Sequence, residues 1–158
     1  MHIDPILSLA LPLLLYILHA PIFAAAKPVQ VNFNRLRYGE FGGAIVGAVG
    51  PLSNLVLAVI GGLLFRLINP DTSSTVYDIL YTFVYLNVIL AIFNSIPWPP
   101  LDGSRVLYAF APEPIQNFME SIEKLGFTSL ILFFLVFFYA LAPAVNSLTI
   151  SVVNFLVS

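Results

Sequence analysis

The sequence predicts an all-α, polytopic membrane protein with about four transmembrane helices, a short amphipathic helix and a C-terminal helix. Composition is the first reason: 59% of residues are hydrophobic, only 9% are charged and mean hydropathy is +0.97, whereas soluble domains carry roughly 25% charged residues. The second is pattern, because apolar runs near the roughly 20 residues that span a bilayer alternate with short polar or proline-rich breaks. The length of 158 residues leaves room for one bundle, so a single membrane-embedded domain over 1–158 is expected. A net charge of -2 and no cluster of Lys or Arg offer no field for nucleic acid. With no cysteine, disulfides, thiolate nucleophiles and Cys-type metal sites are excluded.

Residues 6–26 form the first hydrophobic segment, entered through Asp4-Pro5, with Pro suited to a first helical turn. Pro12 and Pro21 predict kinks, and His19 needs a partner if buried; a neutral histidine bonded inside the bundle and a functional histidine are both open. Ile6 to Leu18 followed by Ala24-Ala25-Ala26 has the outline of a signal peptide. The preceding Met1-His2-Ile3-Asp4-Pro5 has no Lys or Arg and carries an acid, which argues against cleavage. Lys27 to Glu40 is polar, and Val29, Val31 and Phe33 alternate with Gln30, Asn32 and Asn34, the period of an extended interfacial segment. It holds Lys27, Arg35 and Arg37, half of the six basic residues, which places it on the cytoplasmic face.

Residues 41–68 are too long for a straight perpendicular span at roughly 1.5 Å per residue, so tilt or a break is expected, with Gly50-Pro51 supplying the break. Gly43 and Gly47 give a small-residue face for a close neighbour. Asn54 follows the proline, either as an interhelical hydrogen bond or as the lining of a cavity. Asn69 to Thr75 is a turn on the opposite face, and residues 76–96 return as the next span, with Asn87 and Asn94 on one helix face. Pro112 to Gly126 has amphipathic helical spacing. Phe127 to Leu141 is a further apolar run, and after Pro143 residues 144–157 form a short separate helix, re-entrant or interfacial.

The stretch Asn94 to Arg105, Asn-Ser-Ile-Pro-Trp-Pro-Pro-Leu-Asp-Gly-Ser-Arg, stands out as a site. It places Asp102 behind Pro97, Pro99 and Pro100 between apolar segments. A carboxylate at membrane depth costs roughly 2.5 to 3.5 kcal/mol on insertion scales and usually faces a cavity or bundle interior. Asp102 has two readings on its residues alone. It caps the helix that follows and pairs with Arg105, or it is an oxygen ligand or proton acceptor beside backbone freed by the prolines. Such backbone can accept an extended peptide by strand addition.

Asn94-x-x-Pro97-x-x-x-x-Asp102-Gly103 resembles the Asn-x-x-Pro-x-x-x-x-Asp-Gly motif of the site-2 protease family of intramembrane zinc metalloproteases. His2-Ile3-Asp4-Pro5-Ile6, Ala26-Lys27-Pro28-Val29, Val31-Asn32, Gly50-Pro51-Leu52-Ser53-Asn54 and Pro99-Pro100-Leu101-Asp102-Gly103-Ser104-Arg105 resemble its compact prokaryotic branch, in the family's order. The resemblance implies cleavage of other proteins' transmembrane segments by a zinc-activated water in a prokaryotic cell membrane. It implies Asp102 as third zinc ligand, Asn94 as a substrate-binding residue in the Pro97 loop, and Asn54 in the core near the site.

One part of the family pattern is missing. The family draws two ligands and its general base from a His-Glu-x-x-His helix, whose histidines share one face. The only histidines here are His2 and His19, 17 residues apart, or about 25 Å along a helix. Zinc bonds of about 2 Å do not bring both to one ion. The expectation is a chain truncated at its N-terminus relative to the family and inactive alone. A separate helix supplied in trans could complete it, and homo-oligomers stay open as partners. The alternatives are a pseudoprotease that binds transmembrane segments and a small ion or proton transport component.

Overall fold

Small residues decide how the helices meet. The structure, a computed structural model, describes residues 39–158, all within a unit that begins at Phe33. The expected segment 6–26, His2, His19 and most of the extended segment after Lys27 lie outside the described residues. Helix α1 covers Gly39–Ile68 and α2 covers Thr75–Asn94, joined by a turn in which Asn69 adopts a left-handed φ of 44°, a conformation asparagine tolerates. Ser74 caps α2 by accepting the Tyr77 N–H at 3.2 Å. The short turn makes the two helices antiparallel neighbours. Ala58 of α1, Val84 and Val88 of α2, and Val153 near the C-terminus form their buried core.

Helix α1 has 30 residues and α2 has 20, so about ten residues, or about 15 Å, of α1 run past the end of α2. The next helix, α3 (Asp102–Phe110), packs against α1, and α4 (Glu113–Lys124) packs in turn on α3. The break expected at Gly50-Pro51 is absent: α1 passes through Pro51 without interruption. Pro51 removes one hydrogen bond, to the Gly47 carbonyl, and the overhang, not a break, absorbs the excess length. Gly42, Gly43, Ala44 and Gly47 are buried there, as the small-residue face predicted.

Helix α4 is amphipathic as expected, burying Met119 and Ile122. The two C-terminal segments expected to be separate form one span instead. Helix α5 (Phe127–Val136) continues through a π-helical turn at Phe137–Leu141 into α6 (Ala142–Val157). The Ala142 N–H bonds the Phe137 carbonyl five residues back. That wider turn lies immediately before Pro143, where a proline ring would otherwise clash with the carbonyl four residues earlier. Gly39–Ile68, Thr75–Asn94 and Ile131–Val157 are long and apolar enough to cross a membrane, and no strand occurs among the described residues. The all-α membrane architecture is as the sequence predicts.

Candidate functional site

The site lies where α1, the end of α2 and the start of α3 converge. Asp102 is the first residue of α3, and the cap position before it is Leu101, which makes no side-chain capping bond. The capping reading of Asp102 is thereby corrected: it stands inside the first turn, where its charge is favoured by the helix dipole while its carboxylate is not spent on a cap. Arg105, expected to pair with Asp102, acts on it electrostatically and also forms a forked ion pair with Glu123 of α4, at 3.1 Å from Nη1 to Oε2 and 2.5 Å from Nη2 to Oε1. Burial raises the Asp102 carboxyl above the ordinary carboxylate range, and the Arg105 guanidinium pulls it part of the way back.

Three glycines make the socket. A Cβ on Gly50 would stand 2.6 Å from Asp102 Oδ2, so the carboxylate lies directly against the bare backbone of α1. A Cβ on Gly47 would meet the Asp102 carbonyl oxygen at 2.6 Å and Arg105 Cβ at 2.9 Å. On the other side, a Cβ on Gly103 would lie 2.2 Å from the Ser95 carbonyl oxygen and 2.8 Å from that of Ile96. At Gly47 and Gly103 the close atoms are backbone, and only glycine allows backbone to come this near; at Gly50 the close atom is a side-chain oxygen that can turn.

The remaining predicted residues border this socket. Asn54 is half-buried and, four residues after Gly50, lies one turn along the same face of α1. Asn94 ends α2, is half-buried, and precedes Ser95, on which Gly103 rests. Pro97 is exposed in the loop between them. Asn87, placed on the face of Asn94, is buried and donates to the Phe83 carbonyl of its own helix at 2.8 Å, so its amide is engaged within α2.

The loop from Ser95 to Leu101 is braced from the far side by α5. Ser129, buried, donates to the Pro99 carbonyl at 3.1 Å. Phe133, almost wholly buried, packs its ring edge-on to Phe93 at 5.6 Å and lies 6.2 Å from the Trp98 ring. The Pro99–Pro100 bond is cis. Trp98 Nε1 is buried with no hydrogen-bond partner among the described residues. Sequence reading did not find Ser129, Phe133 or the glycine contacts as parts of the site. Among these only the glycines carried a local signal, Gly103 by adjoining Asp102 and Gly47 by its spacing from Gly43.

A cleft of about 550 Å³ opens beside α3, lined by Glu40 and Gly43 of α1, Arg105 and Tyr108 of α3, and Glu120 and Glu123 of α4. Tyr108 donates to Glu120 Oε1 at 2.7 Å. That hydrogen bond, first, and then burial push the Tyr108 phenol up to about 12.

Asp102 is an oxygen donor of the type zinc accepts, and its Gly50 cradle holds it clear of a capping role. Among the described residues no three His, Cys, Asp or Glu side chains come together as a metal site. This part of the chain therefore fits zinc with one donor, and not as a complete site.

Fold and site together define an integral membrane protein with a carboxylate seated at the junction of two of its spanning helices. Residues 65–138 match the family model described as Peptidase family M50, and the chain carries a Peptidase M50, or site-2 protease, family domain. It is 33% identical over 138 residues to the "Putative zinc metalloprotease YwhC" of Bacillus subtilis, covering 79% of this chain and 61% of that protein. It is 32% identical over 100 residues to a Methanocaldococcus jannaschii protein of the same description, covering 63% of this chain and 50% of that protein. The chain thus spans between half and about three fifths of these relatives. No solved structure matches it.

Proposed function

We propose that this chain forms the carboxylate-ligand and substrate-binding part of an intramembrane zinc metalloprotease that cleaves transmembrane segments of other proteins in a prokaryotic cell membrane. The observation that carries the proposal is the placement of Asp102: first in its helix, free of capping, lodged against Gly50 and beside the Asn94 end of α2. In this reading Asp102 is the third zinc ligand. Asn94 and Asn54 offer amides to a substrate backbone, and Pro97 keeps the adjoining loop out of helical hydrogen bonding so that it can meet an extended peptide. Zinc, when bound, would polarise the scissile carbonyl and activate water.

The 158 residues contain no His-Glu-x-x-His, so two ligands and the general base would come from a helix outside them, joined upstream or supplied in trans. Membrane helices do associate after independent insertion. Alone, the chain is expected to bind no catalytic zinc and to cleave nothing. The missing string also favours a second reading, in which the chain is a pseudoprotease that holds transmembrane segments in the Asn54–Asn94–Asp102 groove.

The test is zinc content per chain, purified in mild detergent alone and together with a His-Glu-x-x-His helix, each with and without Asp102→Ala. About one zinc in the combined preparation, with affinity lost on Asp102→Ala, is expected. No zinc in either preparation, with capture of a membrane peptide that Asn94→Ala abolishes and chelator leaves intact, would replace the protease with the binding module.

A further inference from the structure

We propose that Arg105 and Tyr108, held by Glu123 and Glu120, are positioning residues for Asp102, so that α4 is a clamp setting the rotation of α3. The inference rests on the reading of Asp102 as a ligand. Helix α3 has nine residues, too few to hold a helical conformation by itself in water. Its orientation must come from its neighbours. On one side, the bare backbone of α1 at Gly47 and Gly50 fixes how closely α3 approaches. A glycine surface has no side chain to interlock, however, and limits rotation about the α3 axis weakly.

The rotational constraint comes from α4. Asp102, Arg105 and Tyr108 follow one another at intervals of three, neighbours along the helix surface. Both guanidinium nitrogens of Arg105 meet both oxygens of Glu123, and Tyr108 donates to Glu120. Gln116 of α4 donates to the Tyr108 carbonyl at 2.9 Å and to Glu40 of α1 at 3.2 Å, so the clamp is anchored to α1 as well. An arginine fork facing a carboxylate fixes angle as well as distance. A rotation of about 20° at about 5 Å from the helix axis moves a side-chain atom about 1.7 Å. Metal–ligand distances are held to about 0.2 Å. The clamp therefore acts on ligand geometry far more than on stability, to which a pair exposed at 27% and 44% contributes little.

The native chain has no cysteine, so the approach of α3 to α1 can be read directly. With Gly50→Cys and Asp102→Cys together, the rate of disulfide closure in membranes after addition of a fixed concentration of an external two-electron oxidant reports how often position 102 faces position 50. Closure is followed in this background, and in it with Arg105→Gln, Glu123→Gln, Arg105→Lys, or the exchange Arg105→Glu with Glu123→Arg. Zinc affinity is measured in parallel for the same clamp changes, in chains that keep Gly50 and Asp102, together with a His-Glu-x-x-His helix. Each glutamine change should slow closure at least about tenfold and weaken zinc about 10- to 100-fold, the usual effect of losing a residue that orients a ligand. The exchange should restore most of both, and Arg105→Lys, keeping charge without the fork, should fall between. Closure rates unchanged in both glutamine variants, or Arg105→Lys equal to Arg105, would overturn the clamp. Closure involves no metal, so zinc binding indifferent to Asp102→Ala would remove the ligand reading while closure rates still judge the clamp.

Discussion

Alanine at Gly103 and alanine at Gly50 should have unequal effects on stability, although both place a methyl group against the same socket. At Gly103 the new Cβ would lie 2.2 Å from the Ser95 oxygen, 2.4 Å from its carbonyl carbon and 2.8 Å from the Ile96 oxygen. All three are backbone atoms at the end of a spanning helix. Normal carbon contacts lie near 3.5 Å, so α3 must retreat by about 1 Å. It retreats toward α1, where Gly47 and the Asp102 carbonyl are already in close contact. Overpacking costs typically 1–3 kcal/mol, and with rigid backbone on both sides Gly103→Ala belongs at about 3 kcal/mol. At Gly50 the methyl would meet Asp102 Oδ2 at 2.6 Å but Cγ only at 3.7 Å. A carboxylate can turn, at a cost of about 0.5–1.5 kcal/mol, and alanine returns up to about 1 kcal/mol of helix propensity. Gly50→Ala should therefore leave stability within about 1 kcal/mol while displacing the carboxylate. The assay is reversible unfolding in mixed detergent micelles followed by circular dichroism, paired with zinc affinity in the presence of a His-Glu-x-x-His helix. Equal stability of Gly103→Ala and the native chain, or equal losses for the two variants, would refute the socket geometry.

Three further outcomes are expected. Ser129→Ala removes the donor to the Pro99 carbonyl and should cost about 1 kcal/mol in the same unfolding measurement, with faster proteolysis of the Ser95–Leu101 loop. Gly62→Ala should destabilise more than Gly61→Ala, because the first meets the Leu156 backbone oxygen at 2.9 Å and the second meets the Phe83 ring, which can swing aside. Tyr108 has a pKa raised to about 12 from 10.0, so its neutral form is the one the fold favours. Its contribution is complete below pH 10 and is lost as pH rises toward about 12. Ultraviolet titration should show a late-titrating component that is lost in Tyr108→Phe.

Much of this arrangement is legible in the sequence because its causes are local. Prolines around Asp102 free the backbone wherever the chain is placed, and Gly43 and Gly47 announce a close neighbour by spacing alone. Ser74 and Asn69 end their elements with side chains suited to the task. What escaped local reading depended on another part of the chain. Asp102 looks like a helix cap until Leu101 takes that position, and nothing beside Arg105 foretells that α4 brings Glu123 within its reach. Ser129 is one hydroxyl in an apolar run, with nothing nearby to suggest the Pro99 carbonyl 30 residues earlier.

The two prolines expected to break helices show most clearly why sequence and fold diverged. Pro51 and Pro143 each remove one backbone hydrogen bond and crowd the carbonyl four residues back, and in isolation either would end a helix. At Pro143 the chain widens into a π turn, with Ala142 bonded to Phe137, so the crowded turn has already been opened. At Pro51 the carbonyl four residues back belongs to Gly47, whose bare surface is pressed against the start of α3. A continuous α1 is what allows one helix to pair with α2 along one part and to carry Asp102 on its overhang. A break at Gly50-Pro51 would uncouple the two, and the carboxylate would no longer be fixed relative to Asn94. The unbroken proline is therefore a condition for the site.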